Sequence, residues 1–319
     1  MHRTVVKSFA ALASASLHGG IGRAGGGAGD RNAGGAFGRW RPGNCLHAQG
    51  GTEVYEAFPR HGEQHQARYV LKRLRDVAPD RTAVAALRRE AAAAREVRSP
   101  HVVAVLEAHV DAPPFYLVMP RLSGRTLAER STPGPTSISS PPLAPPSIAA
   151  ALGIARQIAS GLAALHAAGR MHGDVKPSNL IIAPDGHVTL IDLGFARRFD
   201  DPAEAEACFV LGTVDYLAPE AVCSRLHSDA RSDLYSLGVV LFEMLAGRRP
   251  FVGPTTADVV QAHACEPPPR LRELNSSVPD DVAEFVAGLL AKTPLRRPQS
   301  ATEVVERLAR LEIRHFDLR

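Results

Sequence analysis

Hydrophobic positions recur with two different periods along this 319-residue chain. Between Gln49 and Met119 the apolar runs are short. Gln49–Ala57 and Tyr69–Leu74 predict strands, as do Val102–Glu107 and Phe115–Met119. One helix interrupts them: Val84, Leu87, Ala91 and Ala94 form a stripe at helical spacing within Asp80–Val97, with Asp80 as its N-cap. From Ile148 onward the period is mostly helical. Ile154, Ile158, Leu162 and Leu165 share one face of Ile148–Ala168, which Gly169 ends. Ser232–Gly247 is apolar nearly all round, the pattern of a buried helix. Val259–Ala264, Asp280–Ala291 and Ala301–Leu311 predict further helices. A strand-rich part followed by an α-rich lobe is therefore expected.

Met171–Gly194 departs from the helical period and carries most of the chemistry. Leu180–Ala183 and His187–Ile191 predict two strands around a Pro184-Asp185-Gly186 turn. Antiparallel pairing puts Asn179, just before the first strand, and Asp192, just after the second, at one end of the hairpin. An amide oxygen and a carboxylate held there suit a hard cation such as Mg²⁺, which takes oxygen ligands together with substrate phosphates. Asp174 lies on the loop leading in, free to accept a proton. Lys176 is placed to neutralise a transferring phosphoryl group.

Composition narrows the picture. Apolar residues make up 45% and charged residues 22%, ordinary for a globular protein. No run approaches 18 apolar residues, so no membrane span is expected. The formal net charge is +4, yet residues 1–41 hold six Lys/Arg against one Asp, +5 by themselves. The remainder is then about −1, which gives no reason to expect a nucleic-acid partner. Residues 1–43, Gly- and Ala-rich, are expected to be a disordered tail, with folded structure starting near Trp40 or Leu46, and Ser131–Ser147 a Pro/Ser-rich insert. Cys45, Cys208, Cys223 and Cys265 are scattered without a C-x-x-C, as free thiols of a reducing compartment are; the cytoplasm is the expected location. His61 and His65 in a polar hairpin loop are expected to be solvated.

H-x-D-x-K-P-x-N at His172–Asn179, D-L-G at Asp192–Gly194 and A-P-E at Ala218–Glu220 together resemble the eukaryotic-type Ser/Thr protein kinase family, including its bacterial members. The resemblance implies a bilobal α+β fold over residues 44–315. Its small antiparallel-sheet N lobe would span about 44–122 and its larger helical C lobe about 123–315. It implies ATP and Mg²⁺, with Mn²⁺ as a substitute, and Ser/Thr hydroxyls of proteins as acceptors. Asp174 would be the base and Lys176 its electrostatic partner, with Asn179 and Asp192 on the metal. Lys72, in V-L-K, would hold the α- and β-phosphates through an ion pair to Glu90. Val118–Leu122 resembles the hinge, with Met119 as gatekeeper and Pro120 and Leu122 offering a carbonyl and an N–H to adenine. Gly50, Gly51 and Val54 would belong to the loop covering the phosphates. Thr213 would bond the catalytic aspartate and lysine, Asp233 would anchor the catalytic loop, and Arg297 would pair with Glu220.

Two departures stand out. Aligned on Val54, the three loop-glycine positions hold His47, Gln49 and Thr52. Gly173 stands where many kinases have an arginine that receives a phosphorylated activation segment, and Phe195–Gly212 contains no Ser, Thr or Tyr. Activity independent of activation-segment phosphorylation is expected. The missing glycines leave a nucleotide-binding scaffold without catalysis as a second reading. A small-molecule phosphotransferase, suggested by His172-Gly173-Asp174, is a third, disfavoured by Lys176-Pro177 and the A-P-E string.

Overall fold

The computed structural model describes residues 37–49, 51–61, 68–75, 79–131, 146–199, 201, 214–223 and 228–316. Strands β1 (Trp40–Gln49), β2 (Thr52–Pro59), β3 (Tyr69–Leu74), β4 (Glu107–His109) and β5 (Tyr116–Pro120) form one antiparallel sheet in the order β1-β2-β3-β5-β4. The first strand differs from the sequence expectation. Gln49 ends β1, and what was expected as one strand from Gln49 begins at Thr52. The hairpin closes at Gln49↔Thr52, with Gly51 at φ +79°, a conformation glycine tolerates best. β1 shows no apolar alternation because it is a largely exposed edge strand with register shifts beside Pro42 and Cys45.

The sheet is covered on both faces. Helix α1 (Arg81–Glu96) packs Leu87 and Ala91 against Leu74 and Leu117 on one side. Asp80 caps it by accepting from the Thr82 N–H, as its sequence predicts. Phe37 and Trp40 pack with Ala57, Leu71, Tyr116 and Val118 on the other side. Phe37 is 1% exposed, so the folded domain starts before residue 44 and the expected tail boundary is too late. Trp40 was expected near the start of the fold, but a lone Phe37 in a Gly-rich setting forms no periodic pattern, which is why the sequence hid it. The strand expected at Val102–Glu107 is absent: Val102 makes a single bridge to Leu190, and pairing starts only at Glu107.

The second lobe opens with β6 (Arg125–Thr126) and the short helix α2 (Leu127–Ser131). Most of the expected Pro/Ser-rich insert lies outside the described residues. Helix α3 (Ile148–Ala167) ends at Gly169, φ +73°, as expected. It is long and apolar enough to cross a membrane, but it packs between two other helices, with Ile158, Leu162 and Leu165 fully buried. β7 (Arg170–Met171), β8 (Leu180–Ile182), β9 (Val188–Leu190) and β10 (Arg197–Arg198) follow. β8 pairs with both β6 and β9, in the order β6-β8-β9, while β7 pairs with β10. Helices α4 (Pro219–Cys223), α5 (Ala230–Ala246), α6 (Thr256–Cys265), α7 (Leu271–Leu274), α8 (Asp280–Leu289) and α9 (Ala301–Arg314) complete the lobe. α5 and α9 are the helices that flank α3. α5 is buried nearly all round, as its composition predicts.

Candidate active site

The β8–β9 hairpin brings Asn179 and Asp192 to one end, as the sequence spacing predicts. The Ile191 N–H donates to the Asn179 carbonyl at 2.9 Å, one residue before Asp192. Asp192 has φ +64° and ψ 77°, a left-handed conformation few non-glycine residues adopt. That backbone turn directs its carboxylate to Lys72: Lys72 Nζ lies 3.0 Å from Asp192 Oδ1 and 2.6 Å from Glu90 Oε2. The Asp192 side chain keeps 38% exposure, so part of the carboxylate stays accessible to a cation.

The electrostatics of this trio are set by burial against charge. Burial works to lower the Lys72 amine, but the Glu90 and Asp192 carboxylates outweigh it and raise the amine above its ordinary range. Burial likewise works to raise the Asp192 carboxyl, and Lys72 reverses this, holding it below the usual carboxylate range. Lys72 is thus a fixed cation beside a fixed anion.

Asp174, 7% exposed, sits on the other side of Asn179. Asn179 Nδ2 donates to both the Asp174 carbonyl and Oδ2 at 2.9 Å. Because nitrogen faces Asp174, the Asn179 amide oxygen is turned away from it. Lys176 Nζ is 2.7 Å from Asp174 Oδ2. Lys176, Asp174 and Asn179 thus form one cluster and Asp192, Lys72 and Glu90 another, joined by the Ile191 N–H bond to the Asn179 carbonyl. The donor set, one amide oxygen and one carboxylate, fits a hard divalent cation.

The loop carrying Asp174 is held from beneath. The buried Asp233 carboxylate accepts from the His172 N–H at 2.8 Å and the Gly173 N–H at 2.9 Å. It also contacts His166 Nε2 at 2.8 Å. Burial pushes the Asp233 carboxyl up, but the His166 contact and the neighbouring donors bring it below its ordinary value. Gly173 has φ +77°, and a Cβ there would lie 2.9 Å from the Phe195 carbonyl oxygen. This backbone thus excludes a side chain at the position where many kinases have arginine. Arg297 makes a two-pronged pair with Glu220, 2.7 Å at each prong, and its side chain is fully buried.

In the sheet, the register Val54↔Lys72↔Leu117 and Val70↔Met119 puts Val54 and Met119 on the Lys72 face. Met119 is buried, and Pro120 and Leu122 are half-buried beyond it. Gly51 lies in the β1–β2 connection, whereas Gly50 and Thr213 lie outside the described residues. Sequence reasoning missed Arg89, whose Nε donates to the Gly194 carbonyl at 3.0 Å and ties α1 to the Asp192 turn. Its neighbour Glu90 was legible only through the string around it. His166 was missed too, since a histidine on the polar edge of a core helix gives no signal by itself.

Residues 50–308 match the family model for the protein kinase domain. The probable serine/threonine-protein kinase CPE1738 of Clostridium perfringens is 30% identical over 268 residues, 84% of this chain and 37% of that protein. Serine/threonine-protein kinase PrkC of Bacillus subtilis is 33% identical over 229 residues, 72% of this chain and 34% of that one. Serine/threonine-protein kinase PkaB of Streptomyces coelicolor is 36% identical over 259 residues, covering 78% and 58%. The chain thus spans about a third to three-fifths of the length of these relatives. The matching domain, the two lobes and these relatives agree: this chain belongs to the protein kinase family, in its bacterial serine/threonine branch.

Proposed function

We propose that this chain transfers the γ-phosphoryl group of ATP to Ser or Thr hydroxyls of proteins. The observation that carries this is that the Lys176–Asp174–Asn179 cluster and the Asp192–Lys72–Glu90 trio are joined at one end of the hairpin by the Ile191 N–H bond to the Asn179 carbonyl. Lys72, fixed between two carboxylates, orients the α- and β-phosphates. Asp174 accepts the proton of the attacking hydroxyl, and Lys176 beside it offsets charge on the phosphoryl group in flight. Asn179 and Asp192 supply the oxygens for Mg²⁺, or Mn²⁺; when bound, the ion screens the charge of the ATP phosphates. Adenine would lie against Val54 and Met119, with Pro120 C=O and Leu122 N–H as its hinge partners. Gly50 and Gly51 would cover the phosphates, and Thr213 would bond Asp174 and Lys176. Positioning and electrostatics carry the catalysis, since little covalent work falls to the protein. ATP as co-substrate and the free, exposed Cys45 and Cys265 support a cytoplasmic site of action.

The test is incorporation of γ-labelled phosphate into generic protein acceptors, followed by mapping of the modified residues. Label on Ser and Thr that disappears in Asp174→Asn is expected. Equal incorporation by Asp174→Asn, or none by the unaltered chain with Mg²⁺ or Mn²⁺, would contradict the proposal, and the second result would favour a binding role.

A further inference from the structure

The β1–β2 hairpin that covers the nucleotide in this reading is thinly packed. β1 is an edge strand, mostly exposed from Arg41 to Ala48, and its pairing with β2 is broken by two register shifts. Its orientation has to come from elsewhere. Strand alternation supplies the means: Val54 faces the Lys72 side, so Glu53 points to the opposite face of the sheet.

Glu53 is only 7% exposed, and both of its oxygens are engaged. Oε1 accepts from Arg75 Nε at 2.9 Å. Oε2 accepts from Arg73 Nε at 2.9 Å and from the Tyr55 hydroxyl at 3.0 Å. The Arg73 guanidinium is itself held over the rings of Phe37 and Tyr55. Arg75 grips the hairpin a second time, its backbone N–H donating to the Gly51 carbonyl at 2.8 Å. Both arginines belong to the chain segment that carries Lys72. Burial works against the Glu53 charge, but the Arg75 and Arg73 bonds prevail and keep its carboxyl below the ordinary range.

We infer that Glu53 is a positioning residue for nucleotide: from the far face of the sheet it fixes the height of the β1–β2 hairpin over Lys72. The inference rests on the kinase reading for its substrate, ATP. It also gives the substituted loop a physical role. With His47, Gln49 and Thr52 at the loop-glycine positions, the hairpin binds phosphate as a pre-set cover held by Arg73 and Arg75, rather than by moulding itself to the ligand.

The test compares Glu53→Gln, Arg75→Ala and Arg75→Lys with the unaltered chain. Glu107→Gln serves as control, since Glu107 accepts from Trp40 and Tyr116 on the same outer face but away from the hairpin tip. Glu53→Gln and Arg75→Ala are expected to raise KM for ATP about five- to tenfold by loss of pre-organisation, with kcat within about twofold. Arg75→Lys should recover most of the loss and Glu107→Gln should leave KM unchanged. Amide hydrogen exchange in residues 46–54, measured without nucleotide, should quicken in Glu53→Gln and not in Glu107→Gln. That measurement needs no catalysis, so it separates failure of the clamp from failure of the kinase reading. Equal exchange in Glu53→Gln and the unaltered chain would overturn the inference. An equal KM rise in Glu107→Gln, or a fall in kcat that parallels lost folded protein, would also overturn it.

Discussion

His263→Gln should remove a specific part of the loss of stability that acid causes in the helical lobe. His263 on α6 is fully buried, and its Nε2 lies 2.9 Å from the Asp215 carbonyl. A carbonyl only accepts, so Nε2 carries the proton. Nδ1, 3.0 Å from the Tyr235 hydroxyl, is then the acceptor in the neutral ring. Lys292 Nζ, bonded to the Ala262 and His263 carbonyls, sits beside it as a competing cation. Burial first, and Lys292 second, lower the His263 pKa from 6.5 to about 4. Asp215 works weakly in the other direction and Arg249 adds to the lowering. Between those values the unfolded chain binds one proton more than the folded chain, so stability rises with pH across that window and is constant above it. On going from pH 7.5 to pH 5.0 this one group should cost about 2 kcal/mol, 1.5 pH units at ~1.36 kcal/mol each. The loss should approach about 3 kcal/mol near pH 4. The assay is urea unfolding of both proteins at pH 7.5, 6.0 and 5.0. His263→Gln is expected to start lower at pH 7.5, because its Tyr235 and Asp215 contacts are imperfect, and to fall less on acidification. Groups not coupled to His263 titrate alike in both proteins and cancel. Parallel pH profiles would refute the reasoning.

Arg297→Met should be among the most damaging single changes. It removes both prongs to Glu220 and three carbonyl contacts, to Ala291, Arg231 and Lys292, from a fully buried site. A cost of about 3–5 kcal/mol in urea unfolding is expected, partly recovered by adding Glu220→Gln; a loss below about 1 kcal/mol would contradict it. Glu90→Gln should lower kcat/KM by about a hundredfold while the protein stays folded by circular dichroism, because Lys72 loses its closest anchor and its position over the phosphates. Activity within a few-fold of the unaltered chain would show that Asp192 alone places the lysine. Phosphatase treatment should leave activity unchanged, since Phe195–Gly212 offers no hydroxyl and Gly173 no arginine; a loss of activity that rephosphorylation restores would refute this.

What the sequence made legible follows how local each signal is. The β8–β9 hairpin, with its Asp-Gly turn, gave the convergence of Asn179 and Asp192 from spacing alone. The longer helices were read to within a few residues, because a buried stripe and a capping residue such as Asp80 are local facts, whereas the short α2, α4 and α7, too brief for a stripe, were not read. β1 stayed hidden, for an exposed edge strand has no alternation, and its Pro42 argues against a strand. The N-terminal boundary failed for a related reason: Phe37 and Trp40 gain their meaning only from Tyr116 and Tyr69, far along the chain, whose rings they meet edge-on. The Glu53 cluster and the Arg89 tie are likewise long-range, and a charged residue on a strand or helix reads as solvated until its partner is seen. The site residues were readable only because four short strings occur in one order. Each alone has an ordinary structural explanation.

The central claim is that Lys72, Asp174, Asn179 and Asp192 surround one nucleotide and its metal. A crystal structure with a non-hydrolysable ATP analogue and Mg²⁺ tests it most directly. The expected result is a cation ligated by the Asn179 amide oxygen and the Asp192 carboxylate, Lys72 on the α- and β-phosphates, and Asp174 facing the γ-phosphoryl group. Nucleotide bound elsewhere, or bound here with Asp192 turned away from the metal, would contradict the account.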